Sequence, residues 1–385
     1  MPEPESPIPS ASPPASAAPR RRMLVLCPYP EGVAAGQRLK FEQYYADWRK
    51  LGFDIHISPF MDRAMWRVLY SPGHLPAKGF GVFKGYLRRI RDLFRLGGYD
   101  VVYIHMWATP LGPPLFERLV RRLARRIIFD LEDNVLIGSG GAADNPNPLL
   151  KYLKGSGKPR YLVETADHVI TSSPFLNDRC LEMNRRRACT YISSSVDTDR
   201  FLPATAYSND RPVTIGWTGT FSTRPMLDLL RGVFQELATR IPFKLRVIGN
   251  FEYSLPGVDL TVVRWTAERE VEDLQAFDIG VYPLSIDDWV MGKSGLKAIQ
   301  YMAFGLPIVA TAVGTTPILI ADGKNGLLVR TEDEWLTALE TLIRDPALRR
   351  RLGTAARQSA TGNYSVHAVA GDYRRVIEDV MGIDQ

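Results

Sequence analysis

"KSGLKAIQYMAFGLPIVAT", residues 293–311, sets out a helix and a following strand in one short run. Ser294 or Gly295 suits an N-cap, Leu296 to Phe304 carries helical apolar spacing, and Gly305 with Pro307 ends the helix. "PIVAT" (307–311) then reads as a short, wholly apolar strand, as in parallel sheets covered on both faces. Lys293 stands at the helix mouth, where unpaired backbone N–H groups and the positive helix end favour an anion. Lys297 falls one turn further on, and Gln300 follows on the same face with an amide that can donate to and accept from hydroxyls. The stretch predicts a strand–loop–helix–strand unit with an anion site at its loop.

The same alternation extends in both directions. "VTIGWTG" (213–219), "FKLRVIGN" (243–250), "LTVVRW" (260–265) and "DIGVYPL" (278–284) read as strands, with helices over 226–240 and 268–277. "NGLLVR" (325–330) is short and extended, and two helices close the chain. Upstream, "MLVLCPYP" (23–30), "FDIHISPF" (53–60), "YDVVYIHMW" (99–107), "IIFDLED" (127–133) and "DHVITSS" (167–173) read as strands. Helical patterns lie between them at 39–52, 84–98, 116–126 and 160–166, while 31–38 and 138–160 read as loops and 61–80 as irregular. Strand alternating with helix, twice over, predicts an α/β protein of two Rossmann-like, doubly wound parallel-sheet domains facing across a cleft. The expected bounds are 20–203 and 204–364, with a last helix over 365–385. Ligands then belong beyond the carboxyl ends of the strands.

Residues 1–19, "MPEPESPIPSASPPASAAP", read as a disordered tail without the apolar middle of a signal peptide. Cys27, Cys180 and Cys189 show neither CxxC nor metal spacing. No run approaches the ~18 apolar residues of a membrane span. The net charge of +6 is uneven: residues 20–200 carry 29 Lys/Arg against 18 Asp/Glu, residues 201–385 carry 19 against 22. A basic first half predicts an anionic partner surface. Its arginines lie on amphipathic helices without interleaved aromatics, which argues against nucleic acid.

Other strand ends carry candidate site residues. After "VTIGWTG", the loop with Gly219, Ser222, Thr223 and Arg224 offers backbone donors and a guanidinium to an anion. Arg264 and Trp265 end the next pair of strands and suit a phosphate and a base. His105 ends "VVYIH", while Asp130, Glu132 and Asp133 end "IIFDLED" as an acidic cluster suited to a polar ligand or lysines. Gly36, Gln37 and Arg38 could approach a diphosphate from across the cleft. Asp197 and Asp199 invite a metal reading, but they fall at the domain connector.

"GKSGLKAIQYMAFGLPIVATAVG", "NGLLV", "DPALRRRLG" and the late "YS" resemble the C-terminal domain of family 4 glycosyltransferases, which have the GT-B fold. "PEGVAAGQR", "YDVVYIHMWATPLGPPLFE", "FDLEDN" and "VDTDRFLP" resemble the matching segments of bacterial members. A subgroup with K-x-G-x-K-x-I-Q-Y-M-A is most similar. The resemblance implies a metal-independent, retaining hexosyltransferase with no cofactor, taking a UDP- or GDP-linked sugar. It implies catalytic roles for His105, Asp133, Arg224 and Lys293, and donor binding through Gly36, Arg38, Gly219, Ser222, Thr223, Arg264, Trp265, Ser294, Gly295, Lys297 and Gln300. It also implies a structural role for Asp197 and Asp199, and the packing of the last helix over 365–385 back on the first domain. The family's two glutamates, eight positions apart, fall here on Gly292 and Gln300. Gln300 keeps a ribose hydrogen bond in this reading, and backbone groups of 293–295 take over the sugar contact.

The expected acceptor is a glycan or a lipid-linked sugar in cell-surface polysaccharide or glycolipid synthesis. Alternatives are a nucleotide-sugar epimerase and a non-enzymatic anion-binding protein. The helix over 84–98 carries Tyr86, Leu87, Ile90, Leu93 and Phe94 on one expected face among arginines, and 116–126 adds five more arginines. Together they predict peripheral attachment to an anionic membrane at its cytoplasmic, inner face.

Overall fold

A computed structural model of the chain describes residues 21–383 apart from 70, 72, 135, 137–156 and 205–210. The tail 1–19 and most of the loop 138–160 lie outside the described residues. Two six-stranded sheets organise the rest. The first runs β2(Phe53–Pro59), β1(Arg21–Cys27), β3(Val101–His105), β4(Ile127–Leu131), β5(His168–Thr171), β6(Cys189–Tyr191). The second runs β12(Leu327–Val329), β11(Ile308–Thr311), β10(Ile279–Tyr282), β7(Val213–Thr218), β8(Phe243–Gly249), β9(Asp259–Arg264).

Every strand pair is parallel, with Met23 opposite Val101 and Ile279 opposite Ile215. The central strands are buried at every position and apolar but for a few residues, His105 and Asp130 among them, as helix-covered parallel sheets require. Each sheet reverses its strand order once, between β1 and β3 in the first and between β7 and β10 in the second. The carboxyl ends of these strands and the segments that follow them carry His105, Arg38, Gly219 and Lys293, at the topological switch points where open α/β sheets bind ligands.

The chain's end returns to the first sheet. Ser365 accepts from the Ala368 N–H to cap the helix Val366–Met381. Val369, Tyr373, Val376 and Ile377 of that helix share a core with Met23, Trp48 and Tyr103. Arg357 ties the connector down by donating to the carbonyls of Thr198, Phe201 and Ala303. Asp197 accepts from the N–H groups of Asp199 and Arg200, closing a turn there.

Several expected elements differ. The stretch 61–80 is largely helical, over Arg63–Leu69 and from Leu75 onward. Within 31–38 a short helix forms at Ala35–Arg38, and the expected helix over 39–52 survives only as a 3₁₀ turn and Tyr45–Lys50. The break turns both Lys40 and Phe41 into the core. The helix over 226–240 divides into Arg224–Asp228 and Arg231–Arg240, because the Leu230 N–H bonds three residues back to Leu227. The helix expected from 84 begins nine residues earlier, at Leu75, and ends at Leu93.

Candidate active site

In the second domain the site is built on the helix Leu296–Ala303. Its N-cap is Gly295 at φ 74°, a left-handed conformation that glycine adopts without a Cβ clash, and no side chain caps the helix. Ala298, Ile299, Tyr301, Met302 and Ala303 form the buried apolar side. Ser294, Lys297 and Gln300 stand apart from it. Ser294 and Gln300 are each 6% exposed, yet among the described residues none of these three side chains has a hydrogen-bond partner. A hydroxyl and an amide so placed are available to the hydroxyls and phosphates of a ligand. The Lys297 ammonium lies 5.6 Å from the Trp217 ring centroid and 5.8 Å from that of Tyr282. Burial first, and the neighbouring Lys293 second, bring its pKa down to about 8.

The loop after β7 is held by its own hydroxyls. Thr223 Oγ1 accepts from the Thr220 N–H at 3.0 Å, and the hydroxyls of Thr220 and Ser222 lie 2.8 Å apart. A Cβ on Gly219 would stand 2.2 Å from the Trp217 ring, so only glycine fits there. Arg224 pairs along its helix with Asp228 at 3.3 Å and lines a surface pocket with Arg231, Glu252 and Tyr253. Arg264 is exposed at the end of β9, and Trp265 packs half-buried against the second domain's core. Neither arginine makes an ion pair or hydrogen bond to the helix mouth. The structure thus gathers Lys293, Ser294, Gly295, Lys297 and Gln300, and leaves Arg224 at the start of its short helix and Arg264 at the end of β9.

The first domain contributes a buried charge cluster. Asp130 lies 2.6 Å from Lys40, accepts from the Tyr103 hydroxyl at 2.6 Å, and lies 3.4 Å from His105 Nδ1. Burial raises the Asp130 carboxyl, but Lys40 and His105 outweigh it and bring the pKa down to about 2. Glu132 sits 4.0 Å from His105 Nε2, and burial pushes its carboxyl up. Lys40 was not among the sequence candidates. Its signal was faint, a lone lysine in an apolar-rich segment.

Two first-loop residues serve differently from expectation. Gly36 makes room, since a Cβ there would lie 2.8 Å from a Glu132 oxygen. Arg38 reaches across the cleft and donates to both oxygens of Glu270, at 2.7 and 2.9 Å. Glu270 is buried, so it requires that counter-charge, and Arg200 adds a second at 3.5 Å.

Three further contacts join the domains at the helix mouth. Lys293 pairs with Asp133 at 2.8 Å, Asn134 donates to the Asp288 carbonyl at 2.8 Å, and Ser172 donates to the Gly292 carbonyl at 3.2 Å. Gly292 is packed against Asn134: a Cβ at 292 would stand 2.5 Å from the Asn134 nitrogen. A glutamate at 292 is therefore incompatible with this approach of the domains. Asp133 adopts φ 60°, an uncommon conformation for a residue with a Cβ, at the strand end where its carboxylate meets Lys293. Thr315 fixes the same corner by donating to the Lys293 carbonyl.

Residues 212–345, the second sheet and its helices, match the family model described as "Glycosyl transferases group 1". The chain is 36% identical over 224 residues to D-inositol 3-phosphate glycosyltransferase of Corynebacterium aurimucosum, covering 50% of this chain and 52% of that protein. It thus spans about half the length of that relative. Its counterpart in Mycolicibacterium smegmatis is 25% identical over 312 residues, 74% of this chain and 69% of that protein. Among solved structures, sucrose-phosphate synthase from Thermosynechococcus elongatus superposes with a TM-score of 0.68 at 16% identity, covering 95% of this chain and all of that one. The Anabaena protein HepE in complex with UDP-glucose gives 0.64 at 14% identity, covering 93% and 99%. The fold is that of the GT-B glycosyltransferases.

Proposed function

We propose that the chain is a retaining glycosyltransferase that moves a sugar from a nucleotide diphosphate donor to a glycan or lipid-linked acceptor without a metal. The observation that carries this reading is the helix mouth at 293–300, where two lysines, an uncapped helix end and two buried polar side chains without protein partners converge. As the glycosidic bond breaks, charge grows on the diphosphate. Lys293, Lys297 and the helix-mouth N–H groups can neutralise it without a metal, and Gln300 can bond the ribose. Asp133 and His105, from the opposite domain, would face the acceptor side. HepE's complex with UDP-glucose favours uridine over guanosine as the base here.

Incubation with UDP- or GDP-sugars in the presence of candidate acceptors tests the reading. Nucleotide diphosphate released only with acceptor present supports transfer. A donor whose sugar is inverted at one carbon without acceptor would point to an epimerase instead.

Lys297 gives the site a pH signature. A phosphate ligand stabilises the ammonium, so the ligand-bound pKa lies above the ligand-free value of about 8. Affinity for a nucleotide diphosphate is therefore full below pH 8 and declines above it, by at most about tenfold per pH unit until the bound pKa is reached. Calorimetry from pH 7 to 10 checks this, and Lys297→Met is expected to flatten that decline. A profile unchanged by the substitution would place Lys297 outside the phosphate site.

A further inference from the structure

The helix Leu75–Leu93 is amphipathic in an inverted sense. Toward the first domain it turns Gly81, Gly85, Arg89 and Asp92, all buried. The two glycines permit close approach: a Cβ on Gly81 would stand 2.6 Å from Met65 Sδ, and one on Gly85 2.6 Å from the Phe60 ring. Arg89 is wholly buried and donates to the carbonyls of Ala108 at 2.7 Å, Ser58 at 2.9 Å and Cys27 at 3.0 Å, while pairing with Asp92 at 3.2 Å. The inward side is thus held largely by a hydrogen-bonded ion pair and close backbone approach.

The apolar residues are on the other side. Phe80, Phe83, Leu87, Ile90 and, just past the helix end, Phe94 follow three- and four-residue spacing along one stripe, and they are 46–88% exposed. Of the apolar face expected from sequence, Leu87, Ile90 and Phe94 point outward, whereas Tyr86 and Leu93 pack inward. Lys84, Arg91 and Arg95 line one edge of the stripe, while Arg88, at the same spacing, is half-buried and donates to the carbonyls of Pro59 and Phe60. The Lys84 and Arg91 side chains are 46% and 63% exposed. The adjoining helix Leu115–Leu123 adds exposed Leu115, Leu119 and Leu123 beside Arg118 and Arg122.

We propose that this face docks on an anionic phospholipid bilayer. An apolar stripe bordered by arginines and lysines matches the boundary between acyl chains and acidic headgroups: the rings enter, and the cations meet phosphate. Charge complementarity selects this occupant, since the half of the chain that carries the stripe holds the basic excess. No helix of the described residues is long and apolar enough to cross a membrane, so the contact is peripheral. The inference does not rest on the transferase reading.

Flotation of the full chain with phosphatidylcholine vesicles, with and without phosphatidylglycerol, tests it at low and high salt. The expected result is flotation with the anionic vesicles, weakened by salt. Phe80→Ser/Phe83→Ser/Ile90→Ser and Lys84→Glu/Arg91→Glu/Arg95→Glu should each lower vesicle partitioning at least about tenfold while leaving the melting temperature unchanged, because these side chains are largely exposed. Protein that stays with the soluble fraction throughout would overturn the proposal. So would variants that float like the parent, or a self-associated species that the serine variant disperses, which would make the stripe an interface between copies.

Discussion

Lys293→Ala is expected to lower glycosyl transfer by about 100- to 1000-fold, the scale for losing one preorganised charge-stabilising group in a transition state. Three features set the size. Lys293 carries a full charge at an uncapped helix mouth, its carbonyl is fixed by Thr315, and a second ammonium stands one turn away. Because the diphosphate gains charge as the bond breaks, the loss should fall mainly on kcat rather than KM. The fold should survive, since the Lys293 and Asp133 side chains are 22% and 28% exposed and Asp133 can be rehydrated. Steady-state kinetics with a fixed acceptor check this, and Lys293→Ala turning over at the parent rate would remove Lys293 from the chemistry.

Lys40→Met acts on stability instead. It leaves Asp130 buried beneath the site without its ammonium partner, and breaking such a pair costs about 3–5 kcal/mol. The sign follows from the pKa of about 2 in the folded protein. A carboxyl depressed below its unfolded value of ~3.9 stabilises the fold above that value, and the contribution is lost as the pH falls through 2. Without Lys40 the same carboxyl moves up from about 2, so the deficit relative to the parent narrows as the pH falls from the variant's higher value toward 2. Calorimetric unfolding at pH 7 and pH 3 should show a larger difference at the first than at the second. Adding Asp130→Asn should recover part of the loss at pH 7. Equal melting of Lys40→Met and the parent at pH 7 would show that the pair contributes nothing net.

Much of this architecture was legible before any coordinates, and the reasons are local. Strands as rich in apolar residues as "VVYIH" and "IIFDL", separated by helical spacing, leave little choice but two parallel sheets, and Gly305 with Pro307 ends its helix where the punctuation says. The helix mouth at 293–300 was legible for the same reason: cap, cation and amide lie within three turns of chain. What escaped depends on partners distant in sequence. Nothing near Lys40 announces Asp130, ninety residues away. Arg38 looked like a phosphate ligand until Glu270 stood opposite it. The helix at 75–93 shows most plainly where periodicity stops: it identifies an apolar stripe, but only the buried Arg89 and the contacts of Gly81 and Gly85 reveal that the stripe faces outward.

The donor site at 293–300 is tested most directly by titrating UDP, GDP and ADP calorimetrically into the parent, Lys293→Ala and Lys297→Met proteins at pH 8. The account predicts that one of these nucleotides binds the parent with net proton uptake, that Lys297→Met abolishes the uptake, and that both variants bind more weakly. Absence of binding by all three nucleotides, or equal affinity in all three proteins, would contradict it.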